Sequence, residues 1–163
     1  MENISKILLY LMACSIQSVK PEEKFLVGAD LEKLLQTAKA HSVSAMVCMA
    51  LEQTDTFRNA EESTRLKWID AKNKAVRKNL LLDTERHQLE KEFAKNGIWY
   101  MPLKGSILKD WYPKFGMREM ADNDILFDEK KRNDVKQIFQ NRGYTVESYG
   151  KINHDAYEKP PIY

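Results

Sequence analysis

Two aspartates spaced i, i+2, Asp122 and Asp124, stand at the head of the apolar run Ile125-Leu126-Phe127. In an extended segment residues i and i+2 point to the same side. The spacing therefore predicts two carboxylates side by side, with Ile125 and Phe127 on the opposite face. Two like charges so close repel each other unless a cation or proton lies between them. Hard oxygen donors on a rigid strand suit Mg²⁺, which takes one or two carboxylates together with substrate phosphates; Mn²⁺ accepts the same donors. Upstream, Ile98–Met101 reads as a strand that runs into Pro102-Leu103-Lys104-Gly105-Ser106. Gly105 would let the backbone approach a phosphate closely, and Ser106, opening a helix, could donate to it with the helix dipole behind it. Lys104 and Arg118 are the candidate countercharges for that phosphate. Each feature also has a plainer reading. The aspartates could simply open an edge strand, Gly-Ser could be a turn with an N-cap serine, and the two bases could be exposed surface charges. His41, His87 and His154 do not cluster in sequence and have no recognisable partner.

The elements that must hold these groups follow from periodicity. Ile4, Ile7, Leu8, Leu11 and Met12 recur at helical spacing over about residues 5–15. Residues 17–28 form a loop punctuated by Pro21 and Gly28. Asp30 is placed to cap a second helix with the stripe Leu31, Leu34, Leu35, Ala38. After a break at His41-Ser42, Val43, Met46, Val47, Ala50 and Leu51 mark a third. Short linkers imply antiparallel neighbours, and the stripes are expected to be covered by the sheet that follows. Residues 62–96 contain neither Pro nor Gly and are rich in helix formers. One long helix is the simplest reading, a break near Asn79 the alternative, and Gly97 its stop. Downstream, Asp128 can cap a helix to about Gln140, Gly143 ends it, and Tyr144–Tyr149 alternates as a strand. The architecture is α+β: helices first, then strand–helix–strand–helix–strand, with the helices on one face of a small mixed sheet.

The 163 residues carry 26 Lys+Arg against 24 Asp+Glu, a net charge of +2. That balance provides no broad basic field for nucleic acid, and the acids interleaved along 62–96 make its charges a solvated face. No uninterrupted apolar run of about 18 residues exists, so no membrane span is read. The start lacks a basic stretch and a small-residue cleavage site, so a cytoplasmic chain is expected. Cys14 and Cys48 each sit in an apolar helical pattern and read as buried free thiols.

The ordered set Leu103-Lys104-Gly105, Tyr112-Pro113, Arg118 and Asp122-Asn123-Asp124-Ile125-Leu126-Phe127 resembles the nucleotidyltransferase superfamily of DNA polymerase β-like proteins. The similarity is closest to a bacterial branch of uncharacterised nucleotidyltransferases and runs from about residue 30 to Tyr144. Asn123 departs from that branch, which has an apolar residue between the aspartates. The resemblance implies a helical N-terminal region over 1–97 and a nucleotidyltransferase core over 98–163. It implies Asp122 and Asp124 as catalytic metal ligands for Mg²⁺ or Mn²⁺, and Lys104, Gly105, Ser106 and Arg118 as nucleotide-binding residues. The substrate would be an NTP, its nucleoside monophosphate passing to an unidentified acceptor. Such enzymes use a third acid on a later strand. Glu147, Asp155 and Glu158 do not fall in that pattern, so the core is expected to be incomplete, cut before the third carboxylate. The competing reading is a catalytically inactive interaction or regulatory module of the same fold. A helical nucleic-acid-binding protein is disfavoured by the charge balance.

Overall fold

Asp30 opens the second helix as its position predicts: its Oδ1 accepts from the backbone N–H groups of Glu32 at 3.2 Å and Lys33 at 3.0 Å. Those are two of the donors that every helix start leaves without an intrahelical partner. The computed structural model describes residues 2–151 and 154–160; the end of the tail, Pro161-Ile162-Tyr163, lies outside the described residues. The elements are α1 (Glu2–Gln17), α2 (Leu31–Ala40), α3 (Ser44–Leu51), α4 (Asp55–Arg58), α5 (Glu62–Lys95), β1 (Tyr100–Pro102), α6 (Gly105–Leu108), β2 (Ile125–Phe127), α7 (Arg132–Asn141), β3 (Thr145–Lys151) and β4 (His154–Glu158). The class is α+β, with helices preceding strands.

Helix α5 runs unbroken through Asn79 for 34 residues, about 51 Å at 1.5 Å per residue. The Asn79 side chain does not compete for its own helix; it donates to the Arg118 carbonyl at 2.7 Å. The helix ends at Gly97, whose φ is +64°. There Ile98 N–H reaches back to the Phe93 carbonyl at 2.9 Å and Gly97 N–H to that of Ala94 at 3.1 Å, the paired bonds of a Schellman stop.

The chain divides into two compact units. The first takes the chain up to Asn79 and returns for Leu108–Glu119. Its core joins Leu11 of α1, Leu34 and Leu35 of α2, Val47 of α3, Phe57 of α4 and Trp68 of α5. The stripes of α2 and α3, expected under the sheet, are thus covered by helices of their own unit. Ser15 Oγ donates to the Met46 carbonyl at 2.6 Å, and the Trp68 indole N–H to that of Leu31 at 3.1 Å. Helix α4 was not predicted. Its start is satisfied by Thr54 Oγ1, which accepts from Phe57 N–H at 3.1 Å, and by the distant Glu23, which accepts from Asp55 N–H at 2.6 Å and Thr56 N–H at 3.1 Å. Cys14 and Cys48 are free and buried, and burial pushes the Cys48 thiol up to about 12.

The second unit comprises Leu80–Ile107 and the chain from Met120 onward. Leu89 and Phe93 of α5, Ile98, and Val135 and Ile138 of α7 form its core, with Tyr100, Ile125, Phe127, Phe139 and Tyr144 against it. Among the described residues its strands pair antiparallel as two two-stranded sheets, β1–β2 and β3–β4, where one small mixed sheet was expected. The reason is β4: residues that read as a tail pair with β3, Val146 opposite Tyr157, and Tyr157 stacks on Phe139 with centroids 4.1 Å apart.

Glu85 of α5 gathers this unit. Its carboxylate accepts from Arg142 Nη2 at 3.1 Å, Lys159 Nζ at 3.1 Å and the Tyr144 hydroxyl at 3.2 Å. Burial works against the ionised form, but the hydrogen bonds from Lys159 and Arg142 outweigh it and hold the carboxyl below its usual range. A depressed carboxylate pKa stabilises the fold above the ordinary value, about 4.3, and that contribution is lost as pH falls through the lower folded value. Glu85→Gln should therefore cost about 1–3 kcal/mol at neutral pH. The gap from wild type should close on acidification, read from urea midpoints at a series of pH values.

Candidate functional site

The β1–β2 ladder pairs Tyr100 with Phe127, Met101 with Leu126 and Pro102 with Ile125. Leu103 N–H extends it by donating to the Asp124 carbonyl at 2.9 Å. Asp122 and Asp124 therefore lie on the extended approach to β2 and not within the strand itself, yet the strand's alternation reaches them. Ile125 and Phe127 pack on the core while Leu126 between them is 46% exposed. Asn123 takes the inward parity: its Nδ2 donates to the Leu82 carbonyl of α5 at 2.8 Å. Asp122, Asn123 and Asp124 all border one cleft of about 830 Å³.

Lys104 borders the same cleft, and its Nζ sits 2.9 Å from Asp124 Oδ2. That hydrogen bond, with the charges of Asp124 and Asp122, raises the ammonium above its ordinary pKa. Lys104 adopts φ +48°, a left-handed conformation uncommon for a residue with a Cβ. Around it the turn is fastened: Ser106 Oγ donates to the Leu103 carbonyl at 2.6 Å, and Ile107 N–H to that of Lys104 at 3.2 Å.

Other cleft residues come from α7 and the second hairpin: Arg132, Glu147, His154 and Asp155. Arg132 grips Asp155 with a two-pronged bond, Nε to Oδ2 at 2.8 Å and Nη2 to Oδ1 at 2.6 Å, and Gly150 N–H adds a third donor at 2.8 Å. The Arg132 guanidinium holds the Asp155 carboxyl below the usual range. Aromatic side chains, Phe93, Phe127, Phe139 and Tyr157, and two further acids, Glu129 and Glu158, also line the cleft.

The structure thus brings together three of the six residues singled out by sequence: Lys104, Asp122 and Asp124. Gly105 and Ser106 are buried in α6. The expectation that Ser106 opens into a pocket beside the aspartates is corrected: it is 3% exposed and its hydroxyl is spent on Leu103. The physical reason is the length of α6, a single turn of four residues, whose serine closes the turn on itself. Arg118 belongs to the first unit and does not border the cleft. Its Nε is buried without a hydrogen-bond partner. Sequence reasoning missed the Arg132–Asp155 clamp, because its members lie 23 residues apart with no local pattern to link them. Among the described residues no group of three or more His, Cys, Asp or Glu stands close enough to hold a metal ion.

The sequence model of a family described as uncharacterised nucleotidyltransferase matches residues 28–161. The chain belongs to this family. No curated protein and no solved structure matches it. The nucleotidyltransferase match contains the whole of the cleft lining, and membership makes nucleotidyl transfer from an NTP the general chemistry. Among the described residues no helix is long and apolar enough to cross a membrane.

Proposed function

We propose that the cleft binds Mg²⁺–NTP through Asp122 and Asp124, and that the chain transfers a nucleoside monophosphate from NTP to an acceptor or supplies the nucleotide-binding portion of such an enzyme. The observation that carries this reading is the pair of carboxylates bordering one cleft with an ammonium already seated on one of them, Lys104 Nζ on Asp124 Oδ2 at 2.9 Å. A site that holds one cation through a carboxylate oxygen has the donor chemistry for another, and Mg²⁺ needs only one or two carboxylates when phosphates and water fill the remaining positions. Bound metal would neutralise the triphosphate and clamp the attacking and leaving oxygens, which is most of what phosphoryl chemistry asks of a protein. The chain's own share is then positional. Asn123 aims the two aspartates outward, the Leu103–Asp124 ladder bond keeps them rigid, and Lys104 supplies positive charge within reach of a phosphate.

The second reading, a non-catalytic module of the same fold, is favoured by the Arg132–Asp155 clamp. Asp155 accepts two bonds from the Arg132 guanidinium and one from Gly150 N–H, which withdraws a carboxylate of the cleft from metal binding. Incubation of the chain with Mg²⁺ and α-³²P-labelled NTPs, alone and with cell extract as acceptor source, separates the two. Label transferred to an acceptor supports the enzyme; saturable binding without transfer supports the module.

A further inference from the structure

Lys104 is an odd residue for its position. Its backbone is left-handed at φ +48°, where glycine would cost nothing and a β-carbon is strained. Gly105, the next residue, has no positive φ; the strain falls on the lysine. The turn around it is held by the Leu103–Asp124 ladder bond and by the Ser106 and Ile107 bonds, so the root of the side chain is over-determined. The far end is not. The side chain is 74% exposed, and the Asp124 side chain it contacts 26%. A rigid base with a solvent-accessible tip describes an arm that can change partner. The ion pair with Asp124 makes the Asp122–Asp124 side of the cleft the arm's station.

We propose that Lys104 is an exchangeable counter-ion: it occupies the cation seat at Asp124 in the empty site, yields that seat to a divalent metal, and carries its charge to the incoming triphosphate. The inference rests on the Asp122–Asp124 reading above. No covalent step is involved. A divalent ion and an ammonium compete for the same carboxylate oxygen, so the lysine opposes binding of the metal alone. Once phosphates arrive, the released ammonium gains acceptors there, so the same lysine favours binding of polyphosphate. The two effects have opposite signs, a signature that neither a purely structural lysine nor a simple phosphate ligand produces.

The test uses the full chain and two probes: Mn²⁺ alone, followed by electron paramagnetic resonance of the free ion, and Mn²⁺ with inorganic tripolyphosphate, which removes the question of which base is preferred. Lys104→Met is expected to tighten Mn²⁺ binding about threefold to fivefold, the range of an exposed ion pair, and to weaken tripolyphosphate binding roughly tenfold, the size of one charge-assisted hydrogen bond. Lys104→Arg should stay close to wild type on both. Lys130→Met, which removes the same charge from an exposed turn of the same unit, should move neither by more than about the small effect of a screened charge. The proposal is overturned if Lys104→Met leaves the Mn²⁺ affinity unchanged, shifts it only as far as Lys130→Met does, or shifts both probes in the same direction. Asp122→Asn/Asp124→Asn separates this from the parent reading. Loss of Mn²⁺ binding in that variant with no effect of Lys104→Met rejects the counter-ion alone; unaltered Mn²⁺ binding in it rejects the metal site and the counter-ion together.

Discussion

Replacing Asp122 and Asp124 together by asparagine is expected to abolish Mg²⁺-dependent NTP binding, with an affinity loss on the order of a hundredfold or more. Even partners that merely orient metal ligands are worth about 10–100-fold in metal affinity, so removing both ligands sets that as a floor. The fold should not suffer. Asp122 is exposed. Asp124 loses an ion pair with a largely exposed lysine, an interaction worth little when water screens one partner. Asn123, which ties the segment to Leu82, is left in place. Titration calorimetry with Mg²⁺ and an α,β-methylene NTP measures the binding, and circular dichroism confirms the fold. Equal heats from wild type and variant would remove the aspartates from the site.

Trp68→Ala is expected to bring the largest loss of stability, about 3–5 kcal/mol. The indole is fully buried in the core of the first unit, in one cluster with Leu11, Leu34, Leu35 and Phe57. Truncation removes the largest of its fully buried side chains and leaves a cavity that the surrounding helices only partly collapse to fill. Trp68→Phe isolates the polar part: most of the ring volume stays, while the N–H that reaches the Leu31 carbonyl at 3.1 Å is lost, at a cost of about 1 kcal/mol plus the packing mismatch. Urea unfolding monitored at 222 nm gives both values. A loss from Trp68→Ala no larger than that from Trp68→Phe would mean that the site repacks and that the indole is not what joins α5 to α2.

Where neighbours in sequence settle a question, the sequence alone was enough. Asp30 and Gly97 bound their helices because the groups they satisfy lie within one turn. The presence of both Asp122 and Asp124 at the border of the cleft fits the two-residue repeat of an extended backbone. The α+β class follows from the change from helical to alternating periodicity after Gly97. What tertiary structure decided is whatever depends on partners far apart in the chain. Glu119 caps α3 through Ser44 and Ala45, about seventy-five residues away, and Glu23 caps α4; a carboxylate's sequence context says nothing of which distant amide it will meet. Residues 154–158 became a strand only because β3 offers them a ladder. Ser106, exposed by the logic of a phosphate turn, is buried because its helix is one turn long and its hydroxyl closes that turn. Lys104 was legible as a positive charge near phosphate, but its seat on Asp124 was not: that contact spans twenty residues and exists because the β1–β2 register sets Leu103 opposite Asp124. Local geometry determined which residues could do chemistry, and strand pairing determined which of them meet.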